Sequence, residues 1–492
     1  MIESQIQYSK IEAISRQMGE NLQRISRSSL VSEDRSFATS LFTEDLKLAI
    51  QHAHEPEHLF AINESVAHLF EYFSFDIADG DVLLVADPYT GGTRGQAMTM
   101  ASPLFHQGKL VLFPVIRLQM TDLAGEFPGG LNANAFEVWQ ESMRITPIKL
   151  YKQGLLQRDV LRFLLANSRT PSLYESELQG MYSCLRSAQE QILELINQHG
   201  NKLNQSIEVM SNYSKNRLVE QFNQLPKEVM KSEVTFTSEE ELAKIAVSLY
   251  SNENHIIIDF EGTSKQLETP VNATLTTVKA YAAWPLLAPL ADEITINDGV
   301  LSMFDVQAPE GSLLHPRFPA SVGFSSMITG HFISEAVTKA LQKGHAPESI
   351  YSAIHGVGPQ IVLFPPFGNS KETEPIFLAP GYPESKQGFG PSALFGNRTL
   401  ISAEELEFHH SFEIIKREVN DNDQMIVRLV NKGNDYLVNM IIPENSEKKY
   451  GSITIYSDEK KETYAKSVVE KQLKPGDEIE FSYTKEGGHL TS

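Results

Sequence analysis

The segment from residue 80 to residue 144 constrains the chain most, because it alternates apolar strands with turns that carry glycines and carboxylates. Val82–Ala86 predicts a strand, which runs into Asp87-Pro88-Tyr89 and then into Gly91-Gly92-Thr93. Glycine lets the backbone approach a ligand closely, and enzymes frequently place functional residues in loops at strand ends. The segment therefore predicts a sheet with a candidate site at one edge.

Further sequence blocks follow this segment in a fixed order. They are Glu137–Ile145, Leu165–Pro171, Asp259–Thr263, Pro270–Thr274, Ala308–Pro316, and Leu473–Asp477 with Gly487-Gly488. Together with the first segment they resemble the hydantoinase B/oxoprolinase family over nearly the whole chain. The resemblance implies a B-type subunit of an ATP-dependent hydrolase of hydantoins, 5-oxoproline or lactams, or of a related carboxylase complex.

The residues that would bind a divalent metal in the resembled family are replaced in this chain. Where that family has His, Asp, a His-His pair and a further Asp, this sequence has Arg94, Ala97, Gln119, Met120 and Ser36. Divalent metals in such sites need imidazole, carboxylate or thiolate ligands, whereas an arginine cannot ligate a cation and repels one. We therefore predict that the chain binds no metal at these positions.

Four other side chains remain candidates for catalysis: Asp87, Asp122, Glu137 and His58. A carboxylate or imidazole can act as a general base, and His58 matches a position of the resembled family in Pro-x-His-Leu. A relocated metal site built from the four would require their side chains to converge. Structural roles are the alternatives: Asp87 as a turn cap and His58 as a core or capping residue. Glu137, Glu141 and Arg144 lie at spacings of four and three, which would place them on one side of a helix as a structural ion pair.

Gly91, Gly92, Thr93 and Arg94 are candidates for substrate binding. Arg94 is a fixed cation beside glycine-rich backbone, an arrangement suited to a carboxylate or phosphate. The alternative is a turn that the fold itself requires.

Composition excludes several classes of partner. The net charge is -21, from 42 Lys+Arg against 63 Asp+Glu, and it opposes binding to nucleic acid or anionic membrane. The single cysteine, Cys184, excludes an internal disulfide and a thiolate metal cluster, and we expect it to be a buried apolar residue. The N-terminus lacks a signal-peptide pattern and no apolar run is long enough to span a bilayer, so we expect a cytoplasmic protein.

Nucleotide-binding motifs are absent from the sequence, because neither a phosphate loop nor a dinucleotide-binding glycine pattern occurs. The resemblance implies that a separate hydantoinase A-type chain handles ATP, and it allows a second B-type chain in the same complex. We accordingly expect no cofactor bound by this chain, and a small molecule as the substrate.

The predicted fold class is α+β, a multidomain mixed α/β chain with a strand-rich C-terminal module. We expect a site domain over 1–172, a helical arm over 173–226, a mixed α/β domain over 227–404 and a β-rich module over 405–492. The predicted function is that of a B-type subunit with a degenerate metal site. A non-catalytic scaffold or small-molecule-binding paralogue is the alternative, and turnover by this chain stays open.

Overall fold

The computed structural model describes residues 2–200, 202–238, 240–252, 255–351, 360–366, 375–378, 404, 407–408, 410–419, 424–443, 451–458 and 460–484. Helices and strands are mixed throughout this part of the chain, and the strands form several sheets, which confirms the α+β class. Within the same residues, no helix is both long and apolar enough to cross a membrane.

The helices of the described residues range from single turns to long elements. They are α1 (Ile2–Ile25), α2 (Ser29–Ser32), α3 (Ala61–Tyr72), α4 (Arg158–Ala166), α5 (Pro171–His199), α6 (Lys202–Phe222), α7 (Leu275–Leu287), α8 (Asp298–Leu301) and α9 (Gly330–Lys343).

The strands of the described residues begin after α2. They are β1 (Phe37–Phe42), β2 (Leu48–Ala53), β3 (Val82–Ala86), β4 (Ala97–Ala101), β5 (Phe105–His106), β6 (Lys109–Leu110), β7 (Phe113–Gln119), β8 (Ile145–Lys152), β9 (Leu155–Leu156), β10 (Met230–Ser238), β11 (Glu241–Asn252), β12 (His255–Asp259), β13 (Phe304–Gln307), β14 (Gln360–Phe364), β15 (Ile376–Leu378), β16 (Phe412–Val419), β17 (Gln424–Asn431), β18 (Tyr436–Ile441), β19 (Ser452–Ser457), β20 (Lys460–Tyr464), β21 (Val468–Leu473) and β22 (Glu478–Thr484).

The first sheet is antiparallel and has the strand order β2-β1-β7-β4-β3-β8-β9. Every residue of β1, β3, β4 and β7 is buried. Side chains alternate between the two faces of a strand, so complete burial means that both faces are covered. Helices α1, α3 and α5 contact these strands. This double cover explains why the sheet's apolar runs are continuous in sequence.

The second sheet has the order β10-β11-β12-β13, in which the last pair is parallel. Helices α7 and α9 pack on each other, and α9 lies against β10 and β11. A continuous apolar core joins this layer to the first sheet and extends to Ile441.

Two further sheets follow, with the orders β15-β14-β18-β21 and β16-β17-β22-β19-β20, and a second apolar core lies among their strands. Strand β14 pairs with β18, so one sheet joins the predicted 227–404 and 405–492 domains. The segment Pro391–Arg398 and the pair Gly487-Gly488 lie outside the described residues.

The predicted helical arm is two helices, α5 and α6, which meet near Gly200. Both contact α1, and the Ser206 hydroxyl donates a buried hydrogen bond to Gln7. Their apolar faces are therefore buried against the predicted first domain, and the two helices pack on it as a helical layer.

Candidate functional site

Several of the positions at which the sequence predicts replaced metal ligands meet at one end of the first sheet. Ser36 precedes β1, Gln119 ends β7, and the Ser36 hydroxyl donates to the Gln119 side chain at 3.1 Å. Arg94, in the loop before β4, donates from Nη2 to the same Gln119 oxygen. Ala97 opens β4 directly opposite Gln119. Ser36 and Gln119 are 83 positions apart in sequence, and they form one site because neighbouring strands bring them together.

Arg94 is buried and paired with Glu57, which comes from the turn Pro56–His58 between β2 and α3. Its Nε donates to Glu57 Oε2 at 3.1 Å and its Nη2 to Oε1 at 3.2 Å. The Arg94 side chain is 4% exposed and that of Glu57 is 0% exposed. A guanidinium that meets both carboxylate oxygens in this way is the strongest geometry for such a pair.

Glu57, His58, Arg94 and Arg117 form a buried cluster, called here the Arg94 cluster. The charge states of its members follow from burial and from the pairing of Arg94 with Glu57. Burial raises the pKa of Glu57, but the positive charge of Arg94 and further favourable interactions outweigh it and hold that pKa well below its ordinary value. Burial lowers the pKa of His58 to about 3, so the imidazole is neutral at physiological pH. Burial also lowers the pKa of Arg117 to about 10. Arg117 stays charged at neutral pH and donates to Thr93 Oγ1 at 3.0 Å.

Glu55, Glu57 and His58 are the one group of possible metal ligands in the described part of the chain whose ligand atoms all lie within 4.8 Å of one another. Their donor types suit a divalent cation. Arg94, however, already occupies both oxygens of Glu57 and places a fixed positive charge in the same cluster. The residues present therefore do not fit the divalent metal that the family resemblance implies.

Asp87 lies at the end of β3 and binds Arg144 with both oxygens, at 3.2 Å from Nε and 2.7 Å from Nη2. It also accepts from the Tyr89 backbone N–H at 3.0 Å and from the Thr90 hydroxyl at 2.8 Å. The Arg144 guanidinium lies 4.4 Å from the ring centre of Phe318. Asp87 thus caps the turn after β3. Arg144 has Asp87 as its carboxylate partner, so the ion pair predicted among Glu137, Glu141 and Arg144 is wrong.

Asp122 has a similar arrangement in the loop after β7. It accepts from the Arg169 backbone N–H at 2.8 Å, from Arg169 Nη1 at 3.1 Å and from the Gly129 N–H at 3.3 Å. Burial raises the pKa of Asp122, although Arg169 opposes the shift. These bonds tie the loop after β7 to the turn before α5.

Glu137 and Glu141 flank one short helical turn and differ in environment. Glu137 caps this turn reciprocally with Gln140. Glu141 is fully buried and accepts from the backbone N–H groups of Val322, at 3.1 Å, and Gly323, at 2.5 Å. The Ser321 hydroxyl donates to it as well. Burial raises the pKa of Glu141 to about 7 despite these bonds.

The glycine-rich turn is held by internal contacts. Gly91 has φ of 76°, and a Cβ there would lie 2.6 Å from the Glu64 backbone in α3. The Gly92 carbonyl accepts from Thr274 at 2.9 Å, and the Thr93 carbonyl accepts from Ser325 at 3.3 Å. Absence of side chains at the two glycines thus permits close packing against α3 and the Asp87 turn.

The structure therefore separates the sequence-predicted residues. His58 and Arg94 lie in the buried cluster, whereas Asp87, Asp122 and Glu137 are each held by partners of their own and do not join the ligand group of His58. Whether any of them acts in catalysis or substrate binding stays a prediction.

Glu57 and Arg117 have prominent places in the cluster that were not anticipated from sequence. One signal points to Arg117, which follows the apolar run Phe113–Ile116 within β7. A buried arginine requires a carboxylate somewhere in the fold, but the sequence does not indicate which one.

Comparison with known proteins identifies the family of the chain. Residues 1–423 match the family model described as hydantoinase B/oxoprolinase. The B-type subunit of a putative D-/L-hydantoinase of Pseudomonas sp. (strain NS671) is 24% identical over 449 residues, 85% of this chain and 74% of that protein. The 5-oxoprolinase 1 of Arabidopsis thaliana is 26% identical over 355 residues, 67% of this chain but 28% of that protein.

Among solved structures, the crystal structure of the ATP-dependent caprolactamase from Pseudomonas jessenii superposes with a TM-score of 0.85 at 19% identity, over 98% of this chain and 90% of that chain. At this identity the superposition establishes the fold. The match covers 28% of the plant relative, so the activity of that longer protein does not transfer with it. Since the family model covers most of the sequence, the chain belongs to the hydantoinase B/oxoprolinase family.

Proposed function

We propose that the chain is a B-type subunit of an ATP-dependent complex that hydrolyses cyclic amides, and that Arg94 takes the place of the metal ion in its site. The observation that carries the proposal is the Arg94–Glu57 pair, located where Ser36 and Gln119 meet. An internal guanidinium supplies a permanent positive charge at that point. It also neutralises the buried carboxylate that a metal ion would otherwise neutralise.

The same geometry favours a structural role for this site over turnover by this chain. Arg94, Asp87 and Asp122 are buried and each is matched by an opposite charge. A buried charge that is already compensated offers little attraction to an incoming ligand of opposite charge. The chain would act as the B-type scaffold of the complex, and a companion A-type chain would use ATP. A second B-type chain would be a further member of the same complex. A related carboxylase complex is the alternative chemistry.

Metal content tests the proposal directly. The purified chain, incubated with Zn²⁺ or Mn²⁺ and then desalted, should retain no stoichiometric metal by elemental analysis. A variant carrying Ser36→Asp, Arg94→His, Ala97→Asp and Gln119→His restores imidazole and carboxylate ligands and should retain about one equivalent, as four ligands suffice for such a site.

The matched control carries the same changes except Arg94→His. It should remain metal-free, because the guanidinium is still present. Stoichiometric metal on the natural chain, lost in Glu57→Gln, would overturn the proposal.

Partnership is tested by mixing the chain with its candidate A-type companion and measuring ATP-dependent hydrolysis of hydantoin, 5-oxoproline and caprolactam. Activity that requires this chain and survives Asp87→Asn and Asp122→Asn supports a scaffold. Activity abolished by one of these changes in a variant that still folds and still binds the companion indicates a catalytic subunit instead.

A further inference from the structure

A cavity of about 230 Å³ lies where three parts of the fold meet. The loop before the Glu137 turn contributes Ala133, the second sheet and its connections contribute residues near 238 and 270, and the C-terminal sheets contribute Ile442 and Lys466. Ligand sites form preferentially at such junctions between structural units. The volume exceeds that of a 150 Å³ engineered cavity known to take benzene, so about nine to twelve non-hydrogen atoms fit.

The wall of the cavity is apolar on one side. Val271, Phe324 and Ile328 line it, and all three are almost completely buried. Phe324 precedes, and Ile328 belongs to, a single π-helical turn, Ser325–Thr329, which leads into α9. Turns of this type occur frequently at functional sites. A branched or unbranched hydrocarbon group would replace water against this wall favourably.

Two opposite charges line the same cavity. Lys466 Nζ lies 3.7 Å from Glu240 Oε1, and the two side chains are 59% and 87% exposed. They come from different units of the fold, Glu240 from the turn between β10 and β11 and Lys466 from the loop before β21. At this separation and exposure the pair contributes little to stability. Both groups therefore remain available to a ligand that carries the complementary charges.

We propose that this cavity binds a free amino acid with an apolar side chain. Its carboxylate would pair with Lys466, its ammonium group with Glu240, and its side chain would contact Val271, Phe324 and Ile328. A zwitterion matches Lys466 and Glu240 better than a simple anion or cation does. An anion would leave Glu240 without a cationic partner, and a cation would leave Lys466 without an anionic one. Such binding is independent of whether the site around Arg94 holds a metal ion.

The π-helical turn Ser325–Thr329 connects the cavity to the Arg94 cluster. Ser325, in the π-helical turn, donates to the Thr93 carbonyl at 3.3 Å, and Thr93 is the neighbour of Arg94. The adjacent Phe324 lines the cavity. A bound amino acid would therefore contact the turn that hydrogen-bonds to the residue before Arg94.

Isothermal titration of the full chain with L-leucine tests the proposal. We expect saturable binding with Kd on the order of 0.1–1 mM, as for a ligand of this size. Two matched probes each lack one charge: 4-methylpentanoate lacks the ammonium group and 3-methylbutylamine lacks the carboxylate. Each should bind about three- to fivefold more weakly, because each lost contact is with a solvent-exposed charge.

Variants locate the binding. Lys466→Ala and Glu240→Gln should each weaken leucine binding by about three- to fivefold, whereas Lys460→Ala, which changes an exposed lysine of β20, should leave it unchanged. Ile328→Trp fills the cavity and should abolish binding. If this change prevents folding, Lys466→Ala and Glu240→Gln still test the proposal, because both alter exposed side chains. Absence of saturable leucine binding, equal binding of the three probes, or binding insensitive to Lys466→Ala and Glu240→Gln would overturn the proposal.

Discussion

Arg94 and Glu57 form a bidentate ion pair between two side chains that are almost completely removed from solvent. The two residues are 37 positions apart, one in the loop before β4 and the other in the turn before α3. Their pairing connects the loop before β4, at one end of the first sheet, to the turn that precedes α3. It also explains how an arginine can stand where the family resemblance implies a metal ligand, because its charge is balanced within the fold.

Removing one member of this pair should destabilise the chain strongly. Glu57→Gln leaves the Arg94 guanidinium buried without its counter-charge, and we expect a loss of about 3–5 kcal/mol in the free energy of unfolding. The double variant Glu57→Gln/Arg94→Met should recover part of that loss, since the guanidinium that touches residue 57 is removed as well, whereas the buried Arg117 still lacks the charge of Glu57. Urea denaturation of both variants measures the difference.

The control for this experiment is the exposed pair Arg317–Glu310, whose side chains are 68% and 67% exposed. Glu310→Gln should cost about 0–1 kcal/mol. If Glu57→Gln costs no more than this control, the buried pair does not hold the site together.

The link between Asp122 and Arg169 should stabilise the loop after β7. Asp122→Asn keeps one acceptor oxygen but removes the charge that Arg169 faces, so a loss of about 2 kcal/mol is expected. Limited proteolysis should show faster cleavage near residues 124–130, which Asp122 anchors through the Gly129 N–H. Unchanged stability together with an unchanged cleavage pattern would contradict this role.

Glu141 should give the stability a dependence on pH. The folded-state pKa is raised to about 7, above the ordinary value of 4.5, so the folded chain holds a proton that the unfolded chain releases. The Glu141 contribution therefore falls as pH rises from about 4.5 to about 7, by about 3 kcal/mol, and is constant above that window.

The measurement compares the natural chain with Glu141→Gln across pH 4.5 to 8 by chemical denaturation. Because Gln does not titrate, the difference in unfolding free energy between the two proteins should change across the window in this direction. A difference that stays constant with pH would show that Glu141 does not titrate as described.

Cys184 should be inert in the folded protein. Its side chain is 3% exposed, and burial raises the pKa of the thiol to about 11. Thiolate is the reactive form, so a thiol reagent should label native protein at a negligible rate and label guanidinium-unfolded protein fully. Rapid labelling of the native chain would indicate local opening of α5 around this residue.

Much of the architecture could be predicted from the sequence. The strand Val82–Ala86, the alternating pattern of Gln424–Val430 and the buried character of Cys184 all follow from local periodicity or composition, which act over a few residues. The ion-pair partners could not be predicted in this way. Arg144 lies near Glu137 and Glu141 in sequence, yet its partner is Asp87, in the turn after β3.

The sequence by itself determined the family and the fold class, since each depends on residue type at an ordered position. Only the tertiary structure decided that Ser36, Arg94 and Gln119 share one site and that Glu57 neutralises the guanidinium. Strand order and helix packing set those distances, and a charge buried far from water must take whichever counter-charge the fold brings within hydrogen-bonding distance.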